Sequence, residues 1–324
     1  MPYAHLDHAL ALVAALWIAL AVDRWLGEPP ARWHPVVWMG KYLGWIGSRM
    51  APRAGRAKPL DLPAFFIGAL AWCLGALGAW VVASGLQGLM TQWLSAWAMA
   101  LLLGLLLKPL FAWRMLRDEV LAVEAALAVS LDAGRAQLGR LVSRDVNVLD
   151  EREVRESAIE SLAENLNDSL VAPVFWFVLF GLPGAAVYRF ANTADAMWGY
   201  RGERGGRDWT WFGKWTARAD DVLSWLPARL TALLLALVAW RWPDGLAREA
   251  HRTPSPNSGW PMGAMALLLG VRLAKPGVYA LNAEGRAPSA ADMQRTAQLG
   301  GRAVLAWALC ASLVIVAAVG VRWE

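Results

Sequence analysis

The stretch Ala303–Val321, AVLAWALCASLVIVAAVGV, decides the fold class, because its 19 residues include no charged side chain. A helix needs about 20 mostly apolar residues to cross the roughly 30 Å apolar layer of a bilayer. We therefore predict a membrane-spanning helix here. Three further apolar stretches predict spans at Ala9–Val22, Phe65–Val82 and Trp93–Leu107.

The composition of the whole chain also favours a membrane protein. Of the 324 residues, 57% are hydrophobic and 18% are charged, whereas soluble domains average about 45–50% and about 25%. The two cysteines, Cys73 and Cys310, exclude a disulfide framework or a thiol metal site. The net charge of +5 suits loops that face anionic lipid, and no nucleic-acid-binding module is present. The lipid bilayer is thus an expected partner and nucleic acid is not; the sequence predicts no oligomeric state.

The basic residues between the spans alternate in a way that predicts the orientation. Ser84–Gln92, which we predict to be the loop between the second and third spans, contains no Lys or Arg. The flanking regions are rich in both: Arg24, Arg32, Lys41, Arg49, Arg53, Arg56 and Lys58 on one side, and Arg114, Arg117, Arg135, Arg140, Arg144, Arg152 and Arg155 on the other. By the positive-inside rule, the first loop and the region from about 114 face the cytoplasm. The first span lacks basic residues before it, so we expect an uncleaved anchor rather than a signal peptide.

The middle of the chain is less regular. Residues 169–191 are apolar but contain Gly181-Leu182-Pro183-Gly184, so they either cross with a kink or return as two half-helices. Residues 226–240 and 261–274 are short for a span and could form a pair or a re-entrant element. We predict an all-α, polytopic helical membrane protein with broken or re-entrant helices. It forms one membrane domain over residues 1–324, with a cytoplasmic helical insertion at 114–168.

An amphipathic helix is predicted after Asp150 and Glu153, which have the spacing of a capping box. One side of this helix is apolar at a period of 3.6 residues: Val154, Ala158, Leu162 and Leu166. The opposite side is polar and lies within an arc of about 100°: Ser157, Glu160, Ser161, Glu164 and Asp168.

The polar side carries carboxylates without counter-charges on the same helix. Glu160, Glu164 and Asp168 are like charges at i,i+4, each pair destabilising by roughly 0.2–0.5 kcal/mol, and Arg152 and Arg155 lie on the other side. Clustered carboxylates with hydroxyl neighbours suit a Mg²⁺ ion that bridges substrate phosphates. The alternatives are a solvated acidic stripe, or a row that pairs with arginines elsewhere in the fold.

Two polar clusters stand beside apolar segments. Tyr188, Asn192 and Asp195 share one helical face, where they either serve function or hold helices together by hydrogen bonds. Arg218 and Asp221 lie in a second cluster, which is either a phosphate-binding group or a surface ion-pair network.

Three further features lie outside these two clusters. Arg229 follows the second cluster and is a further fork donor for phosphate. The turn Ser255-Pro256-Asn257-Ser258-Gly259 is rich in hydrogen-bonding groups and either binds a ligand or connects two helices. His34 follows a rigid Pro-rich loop; a lone histidine in such a place is more often structural. The sequence has no phosphate loop, dinucleotide fingerprint or nucleophile elbow.

A series of motifs resembles the CobD/CbiB family of cobalamin biosynthesis. The motifs are Asp23…Gly27-Glu28-Pro29…His34-Pro35, Ser143-Arg144-Asp145, Ile159-Glu160-Ser161-Leu162-Ala163-Glu164-Asn165…Asp168, Asn192-Thr193…Asp195, Phe212-Gly213…Arg218…Asp220-Asp221…Arg229 and Ser255-Pro256-Asn257-Ser258-Gly259. The resemblance extends over about residues 20 to 290. Ser143 and Ser224 depart from the family pattern, where Gly and Asn are expected.

This resemblance implies an adenosylcobinamide-phosphate synthase, a membrane ligase, and we expect it in a bacterial inner membrane with its active face in the cytoplasm. Such an enzyme joins (R)-1-amino-2-propanol phosphate, or a related amino alcohol, to the free propionate of adenosylcobyric acid, with ATP as co-substrate and Mg²⁺. The expected catalytic residues are Glu160, Glu164, Asp195 and Asp221, and the expected metal ligands are Glu160, Glu164 and Asp168. Substrate and phosphate binding is expected of His34, Arg144, Arg155, Asn192, Arg218, Arg229, Ser255 and Asn257. The alternatives are a non-enzymatic sensing protein of the same superfamily and a transporter.

Overall fold

The computed structural model describes residues 3–55 and 59–320. Arg56 and Lys58 of the predicted basic loop, and Val321 at the end of the predicted last span, lie outside these ranges. Within them most residues are helical and very few are in strands. The helices are α1 (Tyr3–Trp25), α2 (Pro35–Met50), α3 (Leu62–Trp93), α4 (Ala96–Leu107), α5 (Trp113–Leu127), α6 (Leu131–Leu138), α7 (Glu151–Leu166), α8 (Ala172–Trp198), α9 (Lys214–Leu223), α10 (Trp225–Val238), α11 (Leu246–Ala250), α12 (Gly259–Leu269) and α13 (Ala290–Gly320).

Two short hairpins interrupt the helices. They pair β1 (Glu203–Arg204) with β2 (Arg207–Asp208), and β3 (Leu273–Lys275) with β4 (Tyr279–Leu281). The second hairpin corrects the prediction that apolar character at 261–274 marks one continuous segment. Helix α12 ends at Leu269, because Gly270 takes a left-handed conformation, and the chain then enters β3.

Five helical stretches in the described residues are long and apolar enough to cross a membrane, or six if α9 and α10 form one bent span. The five stretches are Leu6–Trp25, Leu62–Trp93, Ala96–Leu127, Glu151–Trp198 and Ala290–Ala318. The protein is therefore a multi-pass helical membrane protein, as predicted. The predicted loop Ser84–Gln92 is wrong: these residues continue α3, and the chain turns only at Leu94 and Ser95, where Ser95 caps α4.

The chain divides into two compact units. Of the described residues, those within 1–111, 173–223 and 311–324 form the first unit, and those within 112–172 and 224–310 form the second. The predicted insertion at 114–168 is helical and falls within the second unit, and its two ends lie inside candidate spans. Its cytoplasmic location stays a prediction, as does the single membrane domain.

In the first unit, α1 packs closely along α4 through small residues. Ala11, Ala15 and Ala19 recur every four residues on α1 and are almost fully buried. On α4, a Cβ added at Gly104 would lie 2.8 Å from the carbonyl oxygen of Ala15. Small residues at this spacing let two helix backbones approach in a membrane.

A buried charge network joins the end of α1 to the end of α4. The Nζ atom of Lys108, a residue only 1% exposed, lies 3.0 Å from Asp23 Oδ1 and 2.6 Å from Glu28 Oε1. It also donates to the carbonyl oxygen of Phe111 at 3.2 Å. The other Glu28 oxygen, Oε2, lies 3.2 Å from His34 Nε2. His34 is therefore part of this network, which fixes the loop before α2.

The predicted break in residues 169–191 is a kink within α8. Gly181 has φ +67° and ψ −154°, outside the helical region, and Pro183 follows it. The side chain of Gln87 accepts a hydrogen bond from the Leu182 N–H at 2.7 Å. The kink leaves the Leu182 N–H without a partner in its own helix, and Gln87 on α3 accepts its hydrogen bond. Backbone groups in apolar surroundings need such a partner.

In the second unit, α7 is the central buried helix. Its end passes into a π-helical turn, Asn167–Val171, whose backbone and side chains are held by neighbours. Trp307 Nε1 donates to the Val171 carbonyl at 3.2 Å, and Thr231 donates to Asn167 Oδ1 at 3.2 Å. The turn therefore has defined partners on α13 and α10.

Candidate functional site

Helix α7 begins with the predicted capping box. Asp150 Oδ1 accepts from the Glu153 N–H at 2.8 Å, and Glu153 Oε2 accepts from the Asp150 N–H at 2.9 Å. The predicted apolar row is fully buried: Val154, Ala158, Leu162 and Leu166 have no exposed surface. The orientation of α7 follows from this row, and the opposite side is left for polar residues.

The polar side of α7 lines a pocket of about 210 Å³ in the second unit. The pocket combines charged, hydroxyl, amide and phenol groups from α7, from the loop before it and from the β3–β4 hairpin. Its lining residues are Leu141, Val142, Ser143, Arg144, Ser157, Glu160, Ser161, Glu164, Asn165, Lys275 and Tyr279. Of the predicted site residues, the structure brings Arg144, Glu160 and Glu164 together here.

Arg144 supplies the counter-charge that the sequence of α7 lacks. Its Nη2 atom lies 3.3 Å from Glu160 Oε2 and also donates to the Ser157 hydroxyl. For Glu160, the alternative of pairing with an arginine from elsewhere in the fold therefore holds. Arg144 is 16 residues before Glu160 in the chain, so helical periodicity could not reveal the pair.

One atom of each partner in this pair is unsatisfied. Among the described residues, Glu160 Oε1 and Arg144 Nη1 are buried and have no hydrogen-bond partner. Glu160 is only 4% exposed. Buried polar atoms are nearly always paired in proteins, so these two atoms indicate a place where a ligand completes the site.

Tyr279 and Lys275 are pocket residues that the sequence analysis missed. Burial raises the pKa of the Tyr279 phenol well above its usual range, and the Glu160 and Glu164 carboxylates raise it further. The phenol therefore remains protonated beside the two acids. Between Lys275 and Tyr279 the sequence contains Pro276-Gly277, which is a common turn sequence. Gly277 has φ +71°, so this pair of residues could have predicted the hairpin.

Asp168 does not join Glu160 and Glu164. It lies in the π-helical turn, accepts a hydrogen bond from Asn167 Nδ2 at 2.7 Å, and is not among the residues that line the pocket. A π-turn holds an extra residue relative to a regular turn, so the 3.6-residue period fails there. No group of three or more His, Cys, Asp or Glu side chains in the described ranges is arranged to hold a metal ion.

The remaining donors fit a Mg²⁺ ion only in part. Mg²⁺ is usually bound by one or two carboxylates together with substrate phosphates. Glu160 is engaged by the Arg144 guanidinium, which competes with a metal cation. Glu164, Ser161 and Asn165 also line the pocket and carry oxygen atoms. These oxygens are of the kind that would bind a Mg²⁺ ion already coordinated by a nucleotide.

Arg155, predicted as a phosphate ligand, does not line the pocket. It binds Glu124 through two nitrogens at 2.7 and 2.8 Å, and it pairs with Glu151 at 2.7 Å. Arg152 pairs with Glu156 at 3.4 Å. Both arginines thus pair with acids outside the pocket and not with Glu160 or Glu164, as predicted.

A second polar group in the same unit contains Arg229, Ser255 and Asn257. Arg229 Nη1 donates to Asn257 Oδ1 at 3.3 Å, and the Ser255 hydroxyl accepts from the Asn257 N–H at 3.2 Å. The Arg229 guanidinium lies 4.1 Å and 4.7 Å from the ring centroids of Trp225 and Trp260. The turn therefore holds an arginine in place, although none of these residues lines the pocket.

The other predicted residues lie in the first unit. Asn192 accepts a hydrogen bond from Arg189 at 3.4 Å, and Arg218 pairs with Asp221 at 3.6 Å. Asp195 closely approaches Gly199: a Cβ added there would lie 2.0 Å from Asp195 Oδ1. These contacts explain why a Gly stands four residues after Asp195.

The first unit also contains an apolar cavity of about 600 Å³ between α2, α3, α4 and α8. No residue that lines it is charged, and Tyr42 contributes its only hydroxyl. It offers no group for acid–base or phosphoryl chemistry, so the α7 pocket is the better candidate site.

Comparison with known proteins gives one consistent family. The family model described as "CobD/Cbib protein" matches residues 16–307. A Thermococcus kodakarensis protein named "Probable cobalamin biosynthesis protein CobD" is 41% identical over 305 residues, covering 94% of this chain and 96% of its own.

Two bacterial relatives carry the name "Cobalamin biosynthesis protein CobD". The Brucella anthropi protein is 38% identical over 299 residues, covering 86% of this chain and 88% of its own. The Rhodobacter capsulatus protein is 36% identical over 321 residues, covering 94% and 97%. No solved structure matches. With one family model and full-length relatives agreeing, the chain belongs to the CobD/Cbib family.

Proposed function

We propose that the protein is a cobalamin-biosynthesis enzyme, an adenosylcobinamide-phosphate synthase. It joins (R)-1-amino-2-propanol phosphate, or a closely related amino alcohol, to the free propionate of adenosylcobyric acid. ATP is the co-substrate, and the product is an amide. Membership of the CobD/Cbib family supports the pathway. The observation that carries the proposal is the α7 pocket, where two carboxylates, a guanidinium and an ammonium line a small polar space.

The reaction needs an activated carboxylate. The propionate oxygen attacks the γ-phosphorus of ATP, ADP leaves, and an acyl phosphate forms. The nitrogen of the amino alcohol then attacks the acyl carbon, the bond to the phosphate oxygen breaks, and inorganic phosphate leaves. A base takes the proton that the nitrogen loses.

The pocket residues have charges suited to these steps. Arg144 and Lys275 stabilise negative charge on a phosphate group. Glu164 is the candidate base, or it would hold a Mg²⁺ ion bound to ATP, which would supply positive charge for phosphoryl transfer. Asp195 and Asp221, in the first unit, are further candidates for binding the substrates.

The cytoplasmic membrane is the proposed location, with the pocket open to the cytoplasm. ATP is made and used there, and the basic residues after the third span follow the positive-inside rule. Five or six membrane-spanning candidates make the protein multi-pass. The relatives include archaeal proteins, so the proposal refers to a cytoplasmic membrane of either kind of cell.

Turnover by the purified protein tests the proposal. The detergent-solubilised protein receives ATP, Mg²⁺, adenosylcobyric acid and aminopropanol phosphate, and ADP and amide are measured together. We expect equal amounts of both. Release of neither would contradict the ligase, and would leave the sensing and transport alternatives.

The Glu164→Gln variant tests the pocket itself. We expect turnover to fall by about 10²-fold or more, because general acid–base groups contribute roughly 10²–10⁴-fold. Asp132→Asn is the control, because the Asp132 side chain is 90% exposed on α6 and does not line the pocket. Unchanged turnover in Glu164→Gln would overturn the role of the pocket.

A further inference from the structure

The α7 pocket contains a buried ion pair, Arg144 and Glu160, that is only partly satisfied, although Tyr279 also forms a hydrogen bond with Glu160. Arg144 Nη2 and Glu160 Oε2 contact each other at 3.3 Å, while Arg144 Nη1 and Glu160 Oε1 have no hydrogen-bond partner among the described residues. Arg144 Nη1 is an N–H donor, and Glu160 Oε1 is a carboxyl oxygen that can accept a hydrogen bond. A ligand that satisfies both must present an acceptor and a donor a few bonds apart.

The charges around this pair are balanced. Lys275 is a second basic residue that lines the pocket, and Glu164 is a second acidic one. A ligand with only negative charge would meet two carboxylates, and a ligand with only positive charge would meet a guanidinium and an ammonium. A zwitterion meets opposite charge with both of its groups.

The size of the pocket limits the ligand further. Its volume of about 210 Å³ is below the roughly 300–1,000 Å³ of sites that hold drug-sized ligands. A corrinoid cannot enter it. A chain of two or three carbons with one charged group at each end is of a suitable size.

We propose that the α7 pocket binds the phosphorylated amino alcohol, with its phosphate on Arg144 and Lys275 and its ammonium on Glu160. This inference rests on the proposed function for the identity of the ligand and deepens it by assigning one substrate to one pocket. Tyr279 is a positioning residue, because its phenol forms a hydrogen bond with the Glu160 side chain and lines the pocket from the hairpin. The corrinoid and the adenosine of ATP bind outside this pocket.

Calorimetric titration of the purified full-length protein in detergent, without ATP or corrinoid, tests the assignment. The probes are aminopropanol phosphate, isopropyl phosphate, which lacks the amine, and aminopropanol, which lacks the phosphate. We expect the complete ligand to bind at least about 10-fold more tightly than either fragment, which corresponds to about 1.4 kcal/mol. Equal affinity for isopropyl phosphate and the complete ligand would overturn the role of Glu160.

Two variants separate the ends of the ligand. In Glu160→Gln we expect the preference for the complete ligand over isopropyl phosphate to disappear. In Lys275→Met we expect weaker binding of both phosphates and an unchanged affinity for aminopropanol. The control is Asp132→Asn, and the melting temperature of each variant reports folding. Unchanged affinities in both variants would place the ligand elsewhere.

Steady-state kinetics test Tyr279 and distinguish the two proposals. Tyr279→Phe is expected to raise KM for aminopropanol phosphate several-fold and to leave KM for the corrinoid unchanged. An equal rise in both would contradict the positioning role. If the protein forms the amide but the pocket variants bind aminopropanol phosphate as the wild type does, only this inference is refuted. If the pocket variants weaken binding of aminopropanol phosphate but the wild type forms no amide, only the proposed ligase activity is refuted.

Discussion

At the scale of single residues, Lys108 shows how the first unit tolerates buried charge. Its ammonium is surrounded by two carboxylates, Asp23 and Glu28, and by the Phe111 carbonyl. Removing one member of such a group leaves an uncompensated charge in a medium of low polarity. The network therefore depends on each of its members.

Replacement of Lys108 by Met should destabilise the protein strongly. The Asp23 and Glu28 carboxylates would lose their counter-ion, at a cost of about 3–5 kcal/mol. Thermal unfolding in detergent measures the change, and Lys41→Met is the control because Lys41 is exposed on α2. Equal melting temperatures for the two variants would contradict the network.

Glu28 should make stability depend on pH in the acid range. Burial alone raises the pKa of its carboxyl, but the hydrogen bonds and charges of His34 and Lys108 outweigh burial and bring the pKa below its usual value of 4.5. A folded-state pKa below the unfolded one contributes stability above about pH 4.5, and that stability is lost as the pH falls through the lowered value. Melting curves from about pH 6 to about pH 3.5 should fall more steeply for the wild type than for Glu28→Gln. Parallel curves would show that Glu28 does not contribute.

The residue contacts of the site were only partly predictable. Glu160 and Glu164 were found from their helical spacing, but Arg144 pairs with Glu160 across a loop that has no regular period. Tyr279 reaches the same pocket from a hairpin more than 100 residues later. Contacts of this kind are set by tertiary packing, which spacing along a chain does not encode.

At the scale of elements, α3 shows why glycine is needed at one position and not at another. A Cβ added at Gly68 would lie 2.0 Å from the carbonyl oxygen of Phe212, which precedes α9. A Cβ at Gly85, on the same helix, would meet no atom within 4 Å. The two positions form a matched pair in one helix.

Gly68→Ala should therefore lower stability and Gly85→Ala should not. Forcing a methyl group into the contact with Phe212 displaces backbone and costs about 1–3 kcal/mol. Gly85→Ala is expected to be neutral or slightly stabilising, because alanine favours the helix. Melting temperatures in detergent compare the two, and equal losses would contradict the close approach of α3 to the Phe212 segment.

Prediction at this scale succeeded where local signals agree and failed where they do not. Helix α7 was predicted with its start and both faces, because a capping box and a 3.6-residue period indicate the same helix. The period then misplaced Asp168, since the π-turn at Asn167–Val171 changes the number of residues per turn. The predicted loop at Ser84–Gln92 failed because the absence of basic residues marks a side of the membrane, not the end of a helix.

At the scale of the whole molecule, the class of protein was predictable because long apolar stretches with few charges indicate membrane-spanning helices. The division into two units was not, because each unit combines segments distant in sequence: residues 112–172 join 224–310 in one of them. Which of the segments meet depends on packing between helices that look alike in composition.

The orientation proposed for the first unit predicts opposite labelling at its two ends. With Cys73 and Cys310 replaced by Ser, Leu60→Cys before α3 should react with a membrane-impermeant thiol reagent only in inside-out vesicles. Gln92→Cys, at the far end of α3, should react only in right-side-out cells. Both side chains are exposed. Reversed labelling would overturn the cytoplasmic orientation, and labelling of both from one side would contradict α3 as a span.

The pocket is assembled from parts that leave the ribosome in a definite order. Arg144 is translated first, Glu160 and Glu164 follow, and Tyr279 comes 115 residues after Glu164. At synthesis rates of about 5–20 residues per second, roughly 6 to 23 seconds separate Glu164 from Tyr279. Glu160 is therefore synthesised after its counter-ion, Arg144. The two side chains can pair during membrane insertion, before the β3–β4 hairpin has been synthesised.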